Sequence, residues 1–164
     1  MQDWENRVAA LWSSIDDYDE ETFVERIDAL ADELPAGSAM ADFERACARD
    51  STGRSDLAVP LYRAALETGL TGERRRRAVI QMASSLRNLG RAREAATLLA
   101  AELELGDDAL SGAVRAFLAF ALVDLGRERE AASLALTALA EYLPRYNRSV
   151  SRYAEALLSQ REKS

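Results

Sequence analysis

The chain has 164 residues, with 21 Lys and Arg against 28 Asp and Glu, a net charge of −7, no His and one Cys. Without His there is no Ser-His-Asp triad, no Cys-His dyad and no His-ligated metal. A single Cys excludes an intrachain disulfide and a Cys cluster for zinc or iron–sulfur. Lys163 is the only Lys, 31 residues are Ala, and Gly and Pro number 8 and 3, so the composition is helical. The apolar fraction of 48% is enough to bury a core. The longest unbroken apolar run, Ala116–Val123, is far short of a membrane span. The first residues, MQDWENR, lack a signal peptide's basic start and apolar core. The expectation is a soluble, cytoplasmic protein that uses no cofactor.

Charge is unevenly distributed. Residues 1–44 hold 13 acidic and 2 basic side chains, and residues 45–164 hold 15 acidic and 19 basic. The two parts, −11 and +4, suggest electrostatic complementarity within one chain or between two.

In chain order, Trp4, Val8, Leu11, Trp12 and Ile15 stand at helical spacing. Asp16-Asp17-Tyr18-Asp19 is a polar turn able to cap the next helix. Phe23, Val24, Ile27, Leu30 and Leu34 follow, and Pro35 stops that run. Three segments then share one pattern: STGRSDLAVPLYRAALETGL, NLGRAREAATLLAAELELG and DLGREREAASLALTALAEYLP. Each has Gly-Arg with Ala five positions after the Gly, at Ala58, Ala95 and Ala131. The glycines, Gly53, Gly90 and Gly126, are 37 and 36 residues apart. Val79, Met82, Ala83, Leu86 and Leu89 form one apolar stripe before Gly90, and Ala95, Leu98, Leu99 and Leu103 form another after it. Each unit therefore reads as helix, turn at Gly, helix. Pro60 should bend its helix or mark a later start. Tyr146, Val150, Tyr153, Ala154 and Leu157 form a last amphipathic helix. Arg145, Arg148, Arg152, Gln160, Arg161, Glu162 and Lys163 would give it a polar outer surface, as the cap of a stack requires.

These segments resemble tetratricopeptide repeats. Val79, Met82, Ala83, Leu86, Ala95 and Leu99 fall on the repeat's apolar and small positions, as do Leu118, Ala119, Leu122, Ala131, Ala135 and Ala138. In the first repeat Ala46, Ala58, Tyr62 and Ala65 match, whereas Arg45 and Arg49 stand where apolar residues belong. Arg115 departs in the same way. The stretch ERRRRAVIQMASSLRNLGR is similar to that of small bacterial tetratricopeptide-repeat proteins, and high Ala and Arg with one Lys fits a GC-rich bacterial genome. The resemblance implies an all-α, right-handed solenoid of about nine helices in one domain over 1–164. It would comprise a degenerate hairpin at 3–35, repeats at 38–70, 71–106 and 107–143, and a capping helix at 144–162.

Candidate chemistry is sparse. Gly-rich phosphate loops are absent, and Asp107-Asp108 and Glu20-Glu21 read as acids that complement helix N-termini. Cys47 reads as a buried, inert thiol unless nearby Arg lowers its pKa. Arg74–Arg77 opposes its helix dipole, so the run either binds a ligand or is neutralised by Glu67, Glu73 or the acidic N-terminal region. The resemblance implies a concave groove lined by the first helix of each pair. It places Arg77, Gln81, Ser84, Arg87 and Asn88 there, with Phe43 and Cys47 before them, Phe117 and Phe120 after them, and Arg148 and Arg152 from the last helix. The implied function is a non-enzymatic scaffold that binds a protein or peptide carrying acidic groups. The alternative is a homodimer that pairs the acidic N-terminal hairpin with the basic groove. Net charge and a pI of about 4.8 disfavour nucleic acid.

Overall fold

The computed structural model describes residues 1–159. Among the described residues there are nine α-helices, one short 3-10 turn and no strand. The helices are α1 (Gln2–Ser13), α2 (Glu20–Ala31), α3 (Ala39–Ser51), α4 (Ser55–Glu67), α5 (Gly72–Asn88), α6 (Ala92–Leu103), α7 (Ser111–Asp124), α8 (Glu128–Ala140) and α9 (Asn147–Ser159). Gln160, Arg161, Glu162 and Lys163, expected on the outer surface of the last helix, lie outside the described residues. The chain divides into two compact units, one ending at residue 85 and the other starting at residue 86.

In the N-terminal unit α1 packs on α2, α2 on α3, and α3 on α4. Phe23, Ile27 and Ala48 form a core against which Leu11, Trp12, Ile15, Tyr18 and Val24 pack. Trp12 meets the Phe23 ring edge-on at 5.0 Å, a favoured arrangement for two aromatic quadrupoles. The indole N–H of Trp4 donates to the Leu30 carbonyl at 2.7 Å, which satisfies a polar atom that burial would otherwise leave unpaired. Asp19 caps α2 by accepting from the Thr22 amide at 2.8 Å, and that bond holds its carboxylate below the usual range. Helix α2 ends at Ala31, four residues before Pro35, through a tightened turn in which the Leu34 amide bonds the Ala31 carbonyl.

Arg45 and Arg49 replace apolar contacts with charge. Arg49 binds Asp28 through both terminal nitrogens, at 2.6 and 2.8 Å, and Arg45 pairs with Asp32. The acids come from α2 and its C-terminal cap, so the α2–α3 contact is part ionic where an ordinary hairpin contact is apolar. Arg115 on α7 is explained similarly, by Glu141 at 2.6 Å and Asp107 at 2.9 Å.

Helix ends repeat one backbone motif. After α3 the Arg54 amide bonds the Arg49 carbonyl at 2.7 Å, and the Gly53 amide bonds Asp50 at 3.1 Å. The same pair of bonds closes α5 and α7, with Arg91 to Leu86 at 2.8 Å and Arg127 to Leu122 at 2.9 Å. This six-to-one closure requires a left-handed residue, and Gly53, Gly90 and Gly126 supply it at φ +73, +75 and +70°. The next helix starts at once, on Ser55, Ala92 and Glu128. Helix α4 starts at Ser55 and runs through Pro60, so the later start does not occur.

In the C-terminal unit α7 packs on both α6 and α8, and α9 packs on α8. Of the apolar stripe expected on the last helix, Ala154 is buried and Val150 and Leu157 are half-buried. Tyr146 and Tyr153 are exposed; Tyr146 precedes α9 and has φ +67°.

Gly126→Ala should destabilise by about 1–2 kcal/mol although nothing lies within 4 Å of the added Cβ, because the cost is conformational. Ala83→Leu and Ala119→Leu should each cost about 1–3 kcal/mol, because both alanines are buried at helix crossings. Denaturant midpoints of the three variants check both expectations.

Candidate functional site

The expected groove residues fall in both units, and the structure treats them differently. In the N-terminal unit α3 carries Phe43, Glu44, Cys47 and Asp50, and α5 carries Arg74, Arg77, Gln81, Ser84 and Ser85. Phe43 and Cys47, expected as groove anchors, stand in the interior. The Tyr62 ring lies 6.3 Å from that of Phe43, and the Arg77 guanidinium lies over Phe43 at 5.4 Å. The Cys47 thiol donates to Gln81 Oε1 at 3.5 Å and accepts from the Tyr62 hydroxyl at 3.6 Å. Burial pushes this thiol up to about 12, against the smaller opposing pull of the Tyr62 hydrogen bond and the Arg77 charge. Cys47 is therefore the inert alternative of its two sequence readings.

A polar chain continues from Cys47. The Tyr62 hydroxyl also reaches Asp50 Oδ2 at 3.4 Å, and the Ser85 hydroxyl donates to Asp50 Oδ1 at 2.6 Å. Glu44, only 6% exposed, accepts from the indole N–H of Trp12 at 2.8 Å. Burial raises the carboxyls of Glu44 and Asp50 above their usual values, against the opposing pull of these hydrogen bonds. By the repeat resemblance Glu44 and Asp50, like Cys47, stand at groove-facing positions; here Glu44 is buried and Asp50 half-buried. The signal that bears on Glu44 is Trp12, a residue whose buried ring demands an acceptor.

The Arg74–Arg77 run divides by helical rotation. Arg74 reaches Glu5 of α1 at 3.1 Å, Arg76 is buried, and Arg77 is exposed. The acidic N-terminal segment thus neutralises part of the run within the chain. Gln81 is committed to Cys47, and Ser84 is half-buried.

In the C-terminal unit three of the anchors, Arg87, Phe117 and Phe120, meet at α7. Phe117 and Phe120 meet edge-on at 6.2 Å. Arg87 lies over the Phe120 ring at 5.3 Å, and its Nε donates to Asp124 at 2.5 Å. Asn88 is exposed beside Arg87 in the chain, and Arg148 and Arg152 are exposed on α9. Elsewhere in this unit Leu118, Leu122, Leu125, Leu134 and Leu158 line a groove of about 670 Å³, with Arg93 and Arg127 among its polar residues.

The tetratrico peptide repeat family profile matches residues 39–157. The chain belongs to the tetratricopeptide repeat family. Proteins of this family generally mediate protein–protein interaction, and their repeat domains are generally scaffolds without catalytic chemistry. No curated protein and no solved structure matches the chain. Among the described residues no helix is long and apolar enough to cross a membrane.

Two outcomes follow from these environments. Native Cys47 should resist aromatic disulfide reagents at about pH 8 and react fully once the chain is denatured, which thiol titration reads directly. Folded Glu44 holds its proton more tightly than in the unfolded chain, so its contribution is greatest below the ordinary Glu value and is lost as pH rises through the raised one. Glu44→Gln keeps an acceptor for Trp12 and removes that dependence. The variant's stability relative to wild type should therefore increase between about pH 4 and about pH 7.5 in urea titrations.

Proposed function

We propose that the chain is a non-enzymatic docking module and that the outer face of α7 takes an apolar side chain with a neighbouring carboxylate from a partner peptide or helix. The observation that carries this reading is that α7 is apolar on two sides. Val114, Leu118, Ala121 and Leu122 are buried, while Phe120 and Val123 remain 52% and 50% exposed, with Phe117 beside them. A helix apolar all round is ordinarily covered all round. Arg87 over the Phe120 ring adds a cation at the edge of this patch. A rigid aromatic contact with a charge-assisted hydrogen bond beside it is the usual composition of an energetic anchor. Asn88, Arg148 and Arg152 supply further donors in the same unit, and Arg77 supplies a separate cation in the N-terminal unit.

The competing reading pairs the acidic N-terminal hairpin of one chain with a basic surface of another. It has less support, because Glu5, Asp28, Asp32 and Glu33 meet Arg74, Arg49, Arg45 and Arg7 of their own chain. A net charge of −7 and a pI of about 4.8 argue against nucleic acid as the partner.

The test is selection from a random-peptide phage library on the immobilised chain. Enriched peptides should carry an apolar residue near Asp or Glu. Phe120→Ala should weaken the best of them by roughly ten-fold or more with little change in melting. Asp124→Ala should strengthen acidic peptides, because Asp124 competes for Arg87. No enrichment, or equal binding to wild type and Phe120→Ala, overturns the reading.

A further inference from the structure

Helix α8 has no charged residue from Ala131 to Ala140, AASLALTALA. Ala131, Ser133, Ala138 and Ala140 are buried. Ala132, Ala135, Leu136 and Leu139 recur at three- and four-residue spacing on the other side, and all four are exposed, Leu136 by 36% and Leu139 by 50%. The corresponding helices behave otherwise. Counting from the turn glycines, Ala132 matches Val59 on α4 and Ala96 on α6, and Ala135 matches Tyr62 and Leu99; those four residues are buried. The surface that earlier hairpins cover is therefore open on the last one. Where α4 and α6 do face solvent they include charged residues, Asp56, Arg63 and Glu67 on α4 and Arg93 on α6. From Ala131 onward the exposed face of α8 carries none; Glu128 and Arg129 stand in its first turn.

The order of residues along this face is self-complementary. Place a second α8 antiparallel across it, with the two-fold axis between residues 135 and 136. Leu139 then opposes Ala132 of the second copy, and Leu136 opposes its Ala135. Each large side chain meets a small one, so the helices approach closely and interlock without overpacking. Parallel pairing would instead set Leu on Leu and Ala on Ala.

From this pattern we infer that α8 is the seam of a homodimer in which two copies pair antiparallel about Ala135 and Leu136. The second copy is favoured over an unrelated partner because the large-on-small match of Ala132, Ala135, Leu136 and Leu139 arises from one strip of sequence read against itself. A two-fold contact of this kind is isologous and closes at two chains. The seam is a single helix pair, so association belongs at the weak end of specific interfaces. It uses α8 and leaves the outer face of α7 unoccupied.

Sedimentation equilibrium on the full chain, up to ~0.5 mM, tests the seam. The expected result is a reversible dimer of the 18.0 kDa chain. Leu136→Glu with Leu139→Glu should weaken it by roughly ten-fold or more. Ala135→Leu should also weaken it, because the hole is filled, although the variant is more apolar; non-specific adhesion would strengthen instead, and that result overturns the seam. Circular dichroism should stay unchanged in these variants, whose side chains face solvent in the single chain. Mild oxidation of Ala135→Cys should give a covalent dimer, since residue 135 lies beside the axis. Ala132→Cys should not, because its two copies stand about 10 Å apart along the seam. A monomer throughout the concentration range, an open-ended polymer, or a dimer indifferent to the glutamates overturns the inference.

Discussion

The bond from the third amide beyond a helix to the carbonyl five residues back decides where this chain turns. It recurs at Arg54, Leu70, Arg91 and Arg127, and each instance needs the preceding residue in the left-handed region, at Gly53, Gly69, Gly90 and Gly126. Because the closing residue is followed at once by the next helix, or within two residues after Gly69, there is little slack in the connection. The entry angle of the following helix is set by the backbone motif before any side chain packs. The small residues at the crossings, Ala46 and Ala58 or Ala119 and Ala131, then accept the close approach that the turn imposes.

Arginine chemistry fills the places where this economy of apolar contact fails. Arg45, Arg49 and Arg115 sit on faces that a hairpin would ordinarily make greasy, and each is held by acids from another part of its own unit. Exposed pairs of this kind contribute little individually. Their value lies in matching an acidic element to one neighbour and discouraging others, since a misplaced α2 would leave Asp28 and Asp32 without cations. Part of the −11 charge of residues 1–44 is thus met within the chain, by Arg45, Arg49 and Arg74.

Backbone periodicity was legible in the sequence because glycine spacing and alanine placement are local signals: the turns at Gly53, Gly90 and Gly126 and the cap at Asp19 stand where the residues put them. Residues whose fate depends on a distant neighbour were less legible. Cys47 occupies a position that faces an open groove in the repeat pattern, with Phe43 adjacent, yet Tyr62, Arg77 and Gln81 enclose them here. Tyr146 and Tyr153 share helical spacing with Ala154 but point to solvent, since spacing gives a face and not what covers it. Glu44 also stands at a groove-facing position of the repeat pattern, and the indole that engages it comes from a residue 32 positions away. The apolar character of α7 and α8 was visible; that each leaves one side uncovered was not, because exposure belongs to the assembled chain.

Both tryptophans lie on α1, Trp4 against the Leu30 carbonyl and Trp12 between Phe23 and Glu44. The segment from residue 86 onward has none. Nature has in effect placed an optical label in one half of the molecule: indole emission reports on residues 1–85 alone, while far-ultraviolet dichroism reports on both. If the two units melt separately, those two signals will part company on a single sample. No engineered probe is required to see which half lets go first.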